Sequence, residues 1–283
     1  MKRILTVQDV SCIGRCSLTV ALPVLSAMGI ETAALPTAVL STHTAFSGYT
    51  FRDLTDDLPG ILAHWKREGL GFDGVYTGYL GSVRQIAIVE RMLDDFACAP
   101  GTLTVVDPVM GDFGRLYKGF DARFAAEMRA LCARADVILP NLTEAAHLTG
   151  RPYLGDGYAE ADVRALLLAL ADTGAKNVIL TGVHFSADTL GAMSYRAADD
   201  AFDLYVSERL PETFHGTGDV FASCVAGALL RGATLSDAMR LAVDFTLACL
   251  RATVADPEHR WYGVNFETAL PLLFDRARAL PTP

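Results

Sequence analysis

The sequence lacks the features of a secreted, membrane-spanning or nucleic-acid-binding protein. No apolar run approaches the length of a membrane helix, and the N-terminal apolar stretch before Gln8 and Asp9 is too short for a signal peptide. The six cysteines form no CxxC pair, which predicts reduced thiols and neither a disulfide framework nor a zinc site. With 24 Lys and Arg against 33 Asp and Glu, the net charge of −9 argues against binding to a phosphate backbone. We therefore expect a cytoplasmic protein with neither a membrane nor a nucleic-acid partner.

Low-complexity linkers, internal repeats and charge runs are also missing, so the sequence predicts one domain over residues 1–283. Short β-branched runs alternate with longer helical patterns, and these runs are residues 4–8, 32–36, 74–78, 102–107, 136–140 and 177–181. Because the runs are apolar throughout, we expect a mostly parallel sheet covered by helices on both faces, a three-layer α/β architecture. Residues 190–196 and 202–208 alternate in polarity and follow each other directly, which predicts an antiparallel pair at one edge. The chain after Gly216 is predicted to be helical.

Polar residues follow five of the predicted strands. They are Asp9, residues 77–79, Asp107, Asn141 and residues 181–182. Ligands of open parallel sheets bind outside the carboxyl ends of the strands. A polar residue at the end of one strand is ordinary, but polar groups after several strands of one sheet indicate a binding site at that edge.

The segment His215-Gly-Thr-Gly-Asp219 precedes an apolar helical run of small residues and carries the strongest chemical signal. Glycines at a loop-to-helix junction let several backbone N–H groups converge on one point, and the helix dipole adds positive charge there. Such a site suits a phosphoryl group during transfer, and Asp219 beside it suits the proton of an attacking hydroxyl. The alternative interpretation is a turn with an N-cap aspartate, which is common in proteins.

Two further clusters carry carboxylates. In the first, Asp107 ends a strand and Asp112 follows in a glycine-containing loop, and in the second Glu144 follows Asn141. Mg²⁺ prefers carboxylates, waters and phosphate oxygens, so both clusters are candidates for a metal site, although a first-turn acid such as Glu144 also stabilises its helix. The Walker A, dinucleotide-binding and protein-kinase motifs are absent from the sequence, so a bound nucleotide would need a different architecture.

Five segments resemble the pyridoxal kinase branch of the ribokinase-like superfamily. They are STHT (41–44), TGYLGS (77–82), VVDPVMGD (105–112), PNLTE (140–144) and GTGDVFAS (216–223), and the resemblance runs in order over nearly the whole chain. It implies an ATP-dependent kinase that phosphorylates the 5′-hydroxyl of a vitamin B6 vitamer (pyridoxal, pyridoxamine or pyridoxine). It also implies a ribokinase-like αβα sandwich, Mg²⁺ and K⁺ as ions, and a homodimer.

The resemblance implies a role for each matched residue. Catalysis would fall to Asp219 as the base, with Gly216, Thr217 and Gly218 around the transferring phosphoryl group. The residues implied for ATP are Asp107, Asp112, Tyr117, Asn141, Glu144, Thr181, Thr217 and Gly218, of which Asp107 and Glu144 would manage Mg²⁺ through water. A short loop near 110–120 would act as a flap that closes over both substrates. The residues implied for the substrate pocket are Asp9, His43, Thr44, Tyr79 and Asp219.

Several positions depart from the pattern of this branch. Asp9 stands where many relatives carry serine, and Ala45, Leu139 and Thr181 also differ from the usual residues, which bears on vitamer preference and metal binding. A hydroxymethylpyrimidine kinase of thiamine synthesis is the nearest alternative, but such relatives often carry cysteine where this chain has Asp219. A B6-binding carrier or regulator without catalysis is a third interpretation, and the intact Asp219 with its glycines argues against it.

Overall fold

The computed structural model describes residues 1–280, which form a nine-stranded sheet and a separate two-stranded hairpin. The strands are β1 (Arg3–Ser11), β2 (Glu31–Leu40), β3 (Phe51–Asp53), β4 (Gly74–Thr77), β5 (Leu103–Val106), β6 (Gly111–Asp112), β7 (Arg115–Leu116), β8 (Val137–Ile138), β9 (Asn177–Val183), β10 (Thr189–Arg196) and β11 (Ala201–Glu208). The main sheet has the order β11-β10-β9-β8-β5-β4-β1-β2-β3, and β6 pairs with β7.

The centre of the main sheet is parallel and both of its edges are antiparallel. All neighbours from β9 to β2 run parallel. The pair β10 and β11 is antiparallel at one edge, and β3 is antiparallel to β2 at the other. Because the central strands are parallel, the loops that follow them meet at one edge of the sheet.

Helices cover both faces of the main sheet. They are α1 (Leu18–Ala27), α2 (Leu58–Arg67), α3 (Val83–Phe96), α4 (Ala122–Cys132), α5 (Leu142–Thr149), α6 (Glu160–Ala171), α7 (Thr217–Leu230), α8 (Leu235–Val254) and α9 (Phe266–Arg278). One layer contains α1, α7, α8 and α9, and the other contains α2 to α6. Each layer encloses its own apolar core against the sheet, as the apolar strands require.

Successive residues of the short central strands feed both cores. On β4, Val75 packs into the core beneath α2 to α6, whereas Tyr76 packs into the core beneath α1, α7, α8 and α9. This alternation is the period of two that any strand imposes on its side chains. A strand covered on both faces therefore reads as a continuous apolar run in the sequence.

The predicted α/β architecture and the antiparallel pair at residues 190–208 are confirmed. Some boundaries differ, since β1 and β2 extend beyond residues 8 and 36 and β8 is only two residues long. The sequence did not predict β3 or the hairpin of β6 and β7. All three residues of β3 are exposed, so it carries no apolar pattern, and the hairpin strands are too short to show one.

The longest helix among residues 1–280 is α8, which has 20 residues. No helix in this part of the chain combines the length and the apolar character that crossing a bilayer requires.

Candidate active site

The candidate residues come together along one edge of the sheet. The five strands that precede them are direct neighbours, in the order β9-β8-β5-β4-β1. Thr181 and Asn141 pair through an isolated bridge, and the Thr181 amide donates to the Pro140 carbonyl at 2.9 Å. The Asp107 amide donates to the Thr77 carbonyl at 2.9 Å, which joins the ends of β5 and β4 in the same way.

Asp9 lies inside β1 and not beyond its end. The pairing of β1 with β2 shifts register between Gln8 and Val10, where Asp9 on β1 faces two residues of β2, Thr37 and Ala38. Its buried carboxylate accepts the hydroxyl protons of Ser11 at 2.9 Å and Ser17 at 2.5 Å. Burial raises the pKa of Asp9, and the two serine hydrogen bonds partly offset that rise.

The loop between β1 and α1 links Asp9 to Asp219. Ser17 precedes α1 at φ 51° and ψ −133°, a strained conformation for a residue with a side chain. Its hydroxyl donates to Asp9, and its backbone N–H faces the Asp219 carboxylate and lowers the pKa of that group. One residue thus contacts both acids.

The Gly216-Thr-Gly-Asp219 segment forms the start of α7. Gly216 has φ 82°, and a Cβ there would lie 2.1 Å from the carbonyl oxygen of Arg15, so only glycine fits. The helix begins at Thr217, and Asp219 lies in its first turn. The amides of this first turn lack partners within the helix and define an anion site by their geometry. Burial, with a smaller contribution from the nearby Asp9, raises the pKa of Asp219 to about 7.

Asp107 and Glu144 form a buried pair of acids. Burial raises the pKa of Asp107 well above its ordinary value, and the neighbouring carboxylates of Glu144 and Asp219 add to the effect. Burial also raises the pKa of Glu144 to about 8, although its two oxygens accept the amide protons of Met110 at 3.1 Å and Asn141 at 2.8 Å. Two adjacent buried carboxylates are the donor set that a divalent cation balances, so these residues fit Mg²⁺.

Glu144 also has a structural role. The Asn141 side chain accepts the amide protons of Thr143 and Glu144, and Glu144 reaches back to the Asn141 amide, which completes a capping box at the start of α5. The sequence left open whether this acid stabilises its helix or serves a metal. The capping geometry satisfies the first role and holds the carboxylate in place for the second.

The hairpin of β6 and β7 is fastened to the start of α5. The Asn141 side chain donates to the Gly111 carbonyl at 2.9 Å, and the Gly114 amide donates to the Thr143 hydroxyl at 2.8 Å. The Tyr117 hydroxyl donates to Asp112 at 3.2 Å, which brings together the two residues that the resemblance assigned to the flap. His215 lies near enough to lower the pKa of Asp112, although burial dominates and raises it. The hairpin therefore extends towards the loop that precedes α7.

His43 lies in an aromatic cluster beside this loop. Its ring contacts the rings of Phe46, His215 and Trp261 at centroid distances of 5.1, 4.9 and 6.0 Å. Its Nε2 lies 3.0 Å from the Tyr262 carbonyl and its Nδ1 accepts the Ala45 amide proton at 3.2 Å. Burial lowers the pKa of His43. Because both ring nitrogens of His43 contact backbone atoms, a ligand could pack against the face of the ring but could not form a hydrogen bond with it.

Tyr79 and Thr44 differ in their surroundings. Burial raises the pKa of Tyr79 to about 12 and the nearby Asp9 contributes, so the Tyr79 ring stands on the Asp9 side of the site. Its ring centroid is 5.8 Å from that of Phe120, which follows the hairpin. Thr44 is exposed, and no hydrogen bond within residues 1–280 ties its side chain to the other candidates.

Sequence reasoning missed the loop of residues 14–17. A Cβ at Gly14 would lie 2.4 Å from the His43 ring, and the Arg15 side chain pairs with Asn265 and, at 3.0 Å, with Glu267. The loop is thus wedged between His43, α7 and the start of α9. The only available signal was a glycine followed by a serine before a helical run, which predicts an N-cap, whereas the Ser17 hydroxyl binds Asp9 instead.

Comparisons with known proteins identify the family of the chain. A family model described as phosphomethylpyrimidine kinase matches residues 24–261. A protein of Bacteroides thetaiotaomicron, named as a candidate phosphomethylpyrimidine kinase, is 42% identical over 96% of this chain and 93% of its own, with a TM-score of 0.92. A second crystal form of that protein contains pyridoxal. Pyridoxal kinase from Lactobacillus plantarum is 37% identical over 99% of both chains, with a TM-score of 0.90.

A third relative represents the other substrate class. Hydroxymethylpyrimidine/phosphomethylpyrimidine kinase of Rhizobium meliloti is 30% identical over 82% of this chain and 84% of its own length. Fold, site and relatives together define a kinase with the ribokinase-like α/β fold. The chain belongs to the phosphomethylpyrimidine kinase family, and its relatives include pyridoxal kinases, as the sequence resemblance predicted.

Proposed function

We propose that this kinase transfers the γ-phosphoryl group of ATP to the 5′-hydroxyl of a vitamin B6 vitamer. The observation that carries the proposal is the half-buried Asp219 in the first turn of α7, linked through Ser17 to the buried Asp9. The Bacteroides relative that contains pyridoxal and the pyridoxal kinase of Lactobacillus plantarum support the choice of substrate class.

In the proposed reaction, Asp219 in its carboxylate form accepts the proton of the 5′-hydroxyl as the oxygen attacks the γ-phosphorus. The bond from the γ-phosphorus to the bridging oxygen of ATP breaks, and ADP leaves with its electron pair. The amides of residues 216–218 at the start of α7 stabilise the negative charge on the transferring group. Phosphoryl transfer is catalysed mainly by positioning and charge stabilisation, which is what a rigid helix start and one oriented acid supply.

Asp107 and Glu144 would hold Mg²⁺ through water, because they form the buried acid pair of the site. When bound, the ion would neutralise charge on the phosphates. Asn141 and Thr181 lie side by side at the neighbouring strand ends and would contact the phosphates. We assign the hairpin with Asp112 and Tyr117 to a cover over ATP, since it is fastened to the start of α5 beside the acid pair.

The vitamer would lie between Asp9, Tyr79 and the ring of His43. Tyr79 offers a face for the flat pyridine ring. Asp9 would pair with a protonated ring nitrogen or with the amine of pyridoxamine, since its carboxylate is buried and already oriented by two serines. Asp9→Ser is therefore expected to change the relative kcat/KM values of pyridoxal and pyridoxamine, and unchanged ratios would refute this role.

Hydroxymethylpyrimidine is the second candidate substrate, because relatives of this chain carry that activity in their names. Its hydroxymethyl group presents the same chemistry to Asp219, so the two candidates differ in the ring that the pocket accepts. A B6-binding carrier would bind a vitamer without stimulating release of ADP. One assay separates the three cases.

The test measures ADP release with Mg²⁺, ATP and K⁺ in the presence of each vitamer or hydroxymethylpyrimidine. Asp219→Ala is expected to lower kcat by about 10²–10⁴-fold, the usual contribution of a general base. Asp237→Ala is the matched control, since Asp237 occupies the first turn of α8, and it should retain activity. Turnover with hydroxymethylpyrimidine alone would contradict the B6 assignment, and pyridoxal binding without turnover would favour a carrier.

The proposal includes a homodimer in the cytoplasm that also uses K⁺. All six cysteines are free thiols, which suits a reducing compartment. Sedimentation of the purified protein tests the dimer, and the K⁺ dependence of ADP release tests the cation.

A further inference from the structure

Trp261 lies on the surface of the protein and is nevertheless held among other aromatic rings. It belongs to residues 255–265, the segment between α8 and α9, and it is 55% exposed. The other tryptophan of the chain, Trp65, packs against the apolar core beneath α2 to α6. A single exposed apolar residue is ordinary, but a rigidly held indole offers a ligand apolar area at little entropic cost.

Four aromatic rings surround the indole of Trp261. Its centroid lies 4.5 Å from that of Phe46, 6.0 Å from that of His43 and 6.4 Å from that of His215. The fourth ring, that of the adjacent Tyr262, lies at 5.9 Å. All four distances fall in the range of favourable aromatic pairs. The neighbours therefore fix the orientation of the indole, although more than half of its residue surface remains open.

The backbone on either side of Trp261 rests on the loop between β1 and α1 and on His43. A Cβ at Gly263 would lie 2.6 Å from the Cβ of Arg15, so this glycine allows the two segments to touch. The Tyr262 carbonyl lies 3.0 Å from Nε2 of His43. The indole is thus attached to a loop and a ring that already belong to the candidate site.

These contacts place the indole on the Asp9 side of the site. In the loop between β1 and α1, Ser17 contacts both Asp9 and Asp219, and His215 directly precedes the N-cap of α7. Thr181, which we assign to the phosphates, lies on β9, and β8, β5 and β4 separate that strand from β1. A flat ring bound beside the indole therefore belongs to the hydroxyl substrate and not to the adenine of ATP.

We propose that Trp261 is a specificity-determining residue of the substrate pocket, and that its indole packs against the ring of the vitamin B6 vitamer. This inference rests on the proposed function, in which Asp9 pairs with a protonated ring nitrogen. An indole face attracts a positively charged ring more strongly than a neutral one. Trp261 would thus favour a B6 vitamer over hydroxymethylpyrimidine, whose pyrimidine ring is less basic and stays neutral.

Tryptophan fluorescence tests the ring contact without any turnover. Trp65→Phe leaves Trp261 as the one tryptophan of the chain, and Trp261→Phe leaves Trp65. The probe is pyridoxine, which has no aldehyde that would react with lysines, and it is titrated in the absence of ATP. Pyridoxine should quench the emission of the Trp65→Phe protein to saturation and should leave the emission of the Trp261→Phe protein nearly unchanged.

Steady-state kinetics tests the effect on specificity. Trp261→Ala is expected to raise the KM for the B6 vitamer by about fivefold to tenfold, whereas kcat and the KM for ATP change less than about twofold, because the ring contact is the same in the ground state and the transition state. Trp261→Phe keeps an aromatic face and should recover part of the loss. Trp65→Phe is the matched control and should retain all three constants. The dissociation constant of hydroxymethylpyrimidine should rise less than about twofold in Trp261→Ala.

The contrary outcomes can be told apart. No binding of pyridoxine in calorimetry, or binding without a change in the emission of the Trp65→Phe protein, would overturn the ring contact. A rise in the KM for ATP alone would assign the indole to adenine, and an equal rise for hydroxymethylpyrimidine would overturn the role in specificity. Failure of every vitamer to stimulate ADP release would instead refute the proposed function, and the fluorescence titration would still decide whether Trp261 contacts the ring.

Discussion

At the scale of single residues, Asp219 combines the proposed role of catalytic base with a raised pKa. Burial raises its pKa to about 7, and the charge of Asp9 contributes to the rise. Below that pH the acid is neutral and cannot accept the proton of the substrate hydroxyl. We therefore expect kcat/KM to increase with pH and to level off above an apparent pKa near 7. Initial rates of ADP release between about pH 5 and about pH 9 measure this limb.

The contribution of Asp9 to the pKa of Asp219 predicts the direction in which the pH profile of an Asp9 variant shifts. Asp9→Asn removes a negative charge near Asp219, so the apparent pKa of the limb should fall in the variant. A limb that moves to higher pH, or a wild-type limb already complete below pH 5, would contradict the assignment of the limb to Asp219.

The backbone of Ser17 is strained, which predicts that the glycine variant at this position is more stable than the alanine variant. At φ 51° and ψ −133°, a side chain costs on the order of 1–3 kcal/mol, whereas glycine tolerates such a conformation. Ser17→Gly should therefore be more stable than Ser17→Ala by about 1 kcal/mol in urea unfolding. Both variants lose the hydroxyl that Asp9 accepts, so both should alter the relative kcat/KM values of the vitamers.

Ser26 provides the control for Ser17, because it is an exposed serine within α1. In a regular helix the order reverses, and Ser26→Ala should be more stable than Ser26→Gly by about 1 kcal/mol. The same order at both positions would show that the backbone of Ser17 is unstrained.

At the scale of elements, the sequence predicted that the candidate residues share one edge of the sheet, because they follow the ends of apolar strands. The runs before Asp107 and Asn141 are continuous because β5 and β8 are covered on both faces, so their ends stand out clearly. Strand order is a long-range property, yet the alternation of strands and helices restricts it enough to predict a shared edge.

The parts that sequence analysis missed depend on contacts between distant segments. The register shift opposite Asp9 becomes visible only when β1 is aligned with β2. The packing of the loop of residues 14–17 depends on Gly216 and Gly263, because a side chain at either position would clash with Arg15. Neither feature leaves a periodic or compositional signal, so a single sequence does not reveal them.

Few hydrogen bonds hold the hairpin of β6 and β7 to the start of α5, so the loss of one of them should have a measurable effect. Phe113 and Gly114 both have positive φ, the geometry of a two-residue type I′ turn, and the Gly114 amide donates to the Thr143 hydroxyl at 2.8 Å. Thr143→Ala removes this acceptor, so hydrogen exchange of residues 111–117 should become about fivefold faster, corresponding to about 1 kcal/mol.

Thr149→Ala is the matched variant at the opposite end of α5, where the Thr149 hydroxyl donates to the Ala145 carbonyl at 2.7 Å. It should leave exchange in residues 111–117 unchanged. Equal exchange rates for that segment in Thr143→Ala and the wild type would show that the Thr143 hydroxyl does not restrain the hairpin.

At the scale of the whole molecule, the fold concentrates buried acids at one edge of a sheet. Asp9, Asp107, Glu144 and Asp219 all have raised pKa values with burial as the largest cause. The parallel centre of the sheet brings Asp9, Asp107 and Glu144 together, because its strand ends and the segments that follow them meet at one edge, and the first turn of α7 adds Asp219. The site is therefore a source of instability for the unliganded protein and a favourable environment for cations.

This arrangement predicts that the metal-free protein loses stability as pH rises. The pKa of Asp219 is raised from 3.8 to about 7 and that of Glu144 from 4.5 to about 8, so the folded state binds more protons than the unfolded state between about pH 4.5 and pH 8. Stability must fall across that window, by on the order of 9 kcal/mol if both acids ionise fully in the folded state, and the loss is complete above the folded pKa values. Urea unfolding at several pH values in EDTA measures the slope.

Two further measurements connect the pH dependence of stability to the acid pair Asp107 and Glu144 and to Mg²⁺. Glu144→Gln removes one titrating acid and should flatten the dependence of stability on pH, whereas Glu258→Gln, at an exposed position, should leave it unchanged. Because Mg²⁺ would bind the ionised carboxylates, millimolar Mg²⁺ should stabilise the wild-type protein more at about pH 8 than at about pH 5. If stability in EDTA instead rises with pH, the acids are already ionised in the folded protein and other protein groups balance their negative charge. The site would then have no uncompensated charge for Mg²⁺ to balance.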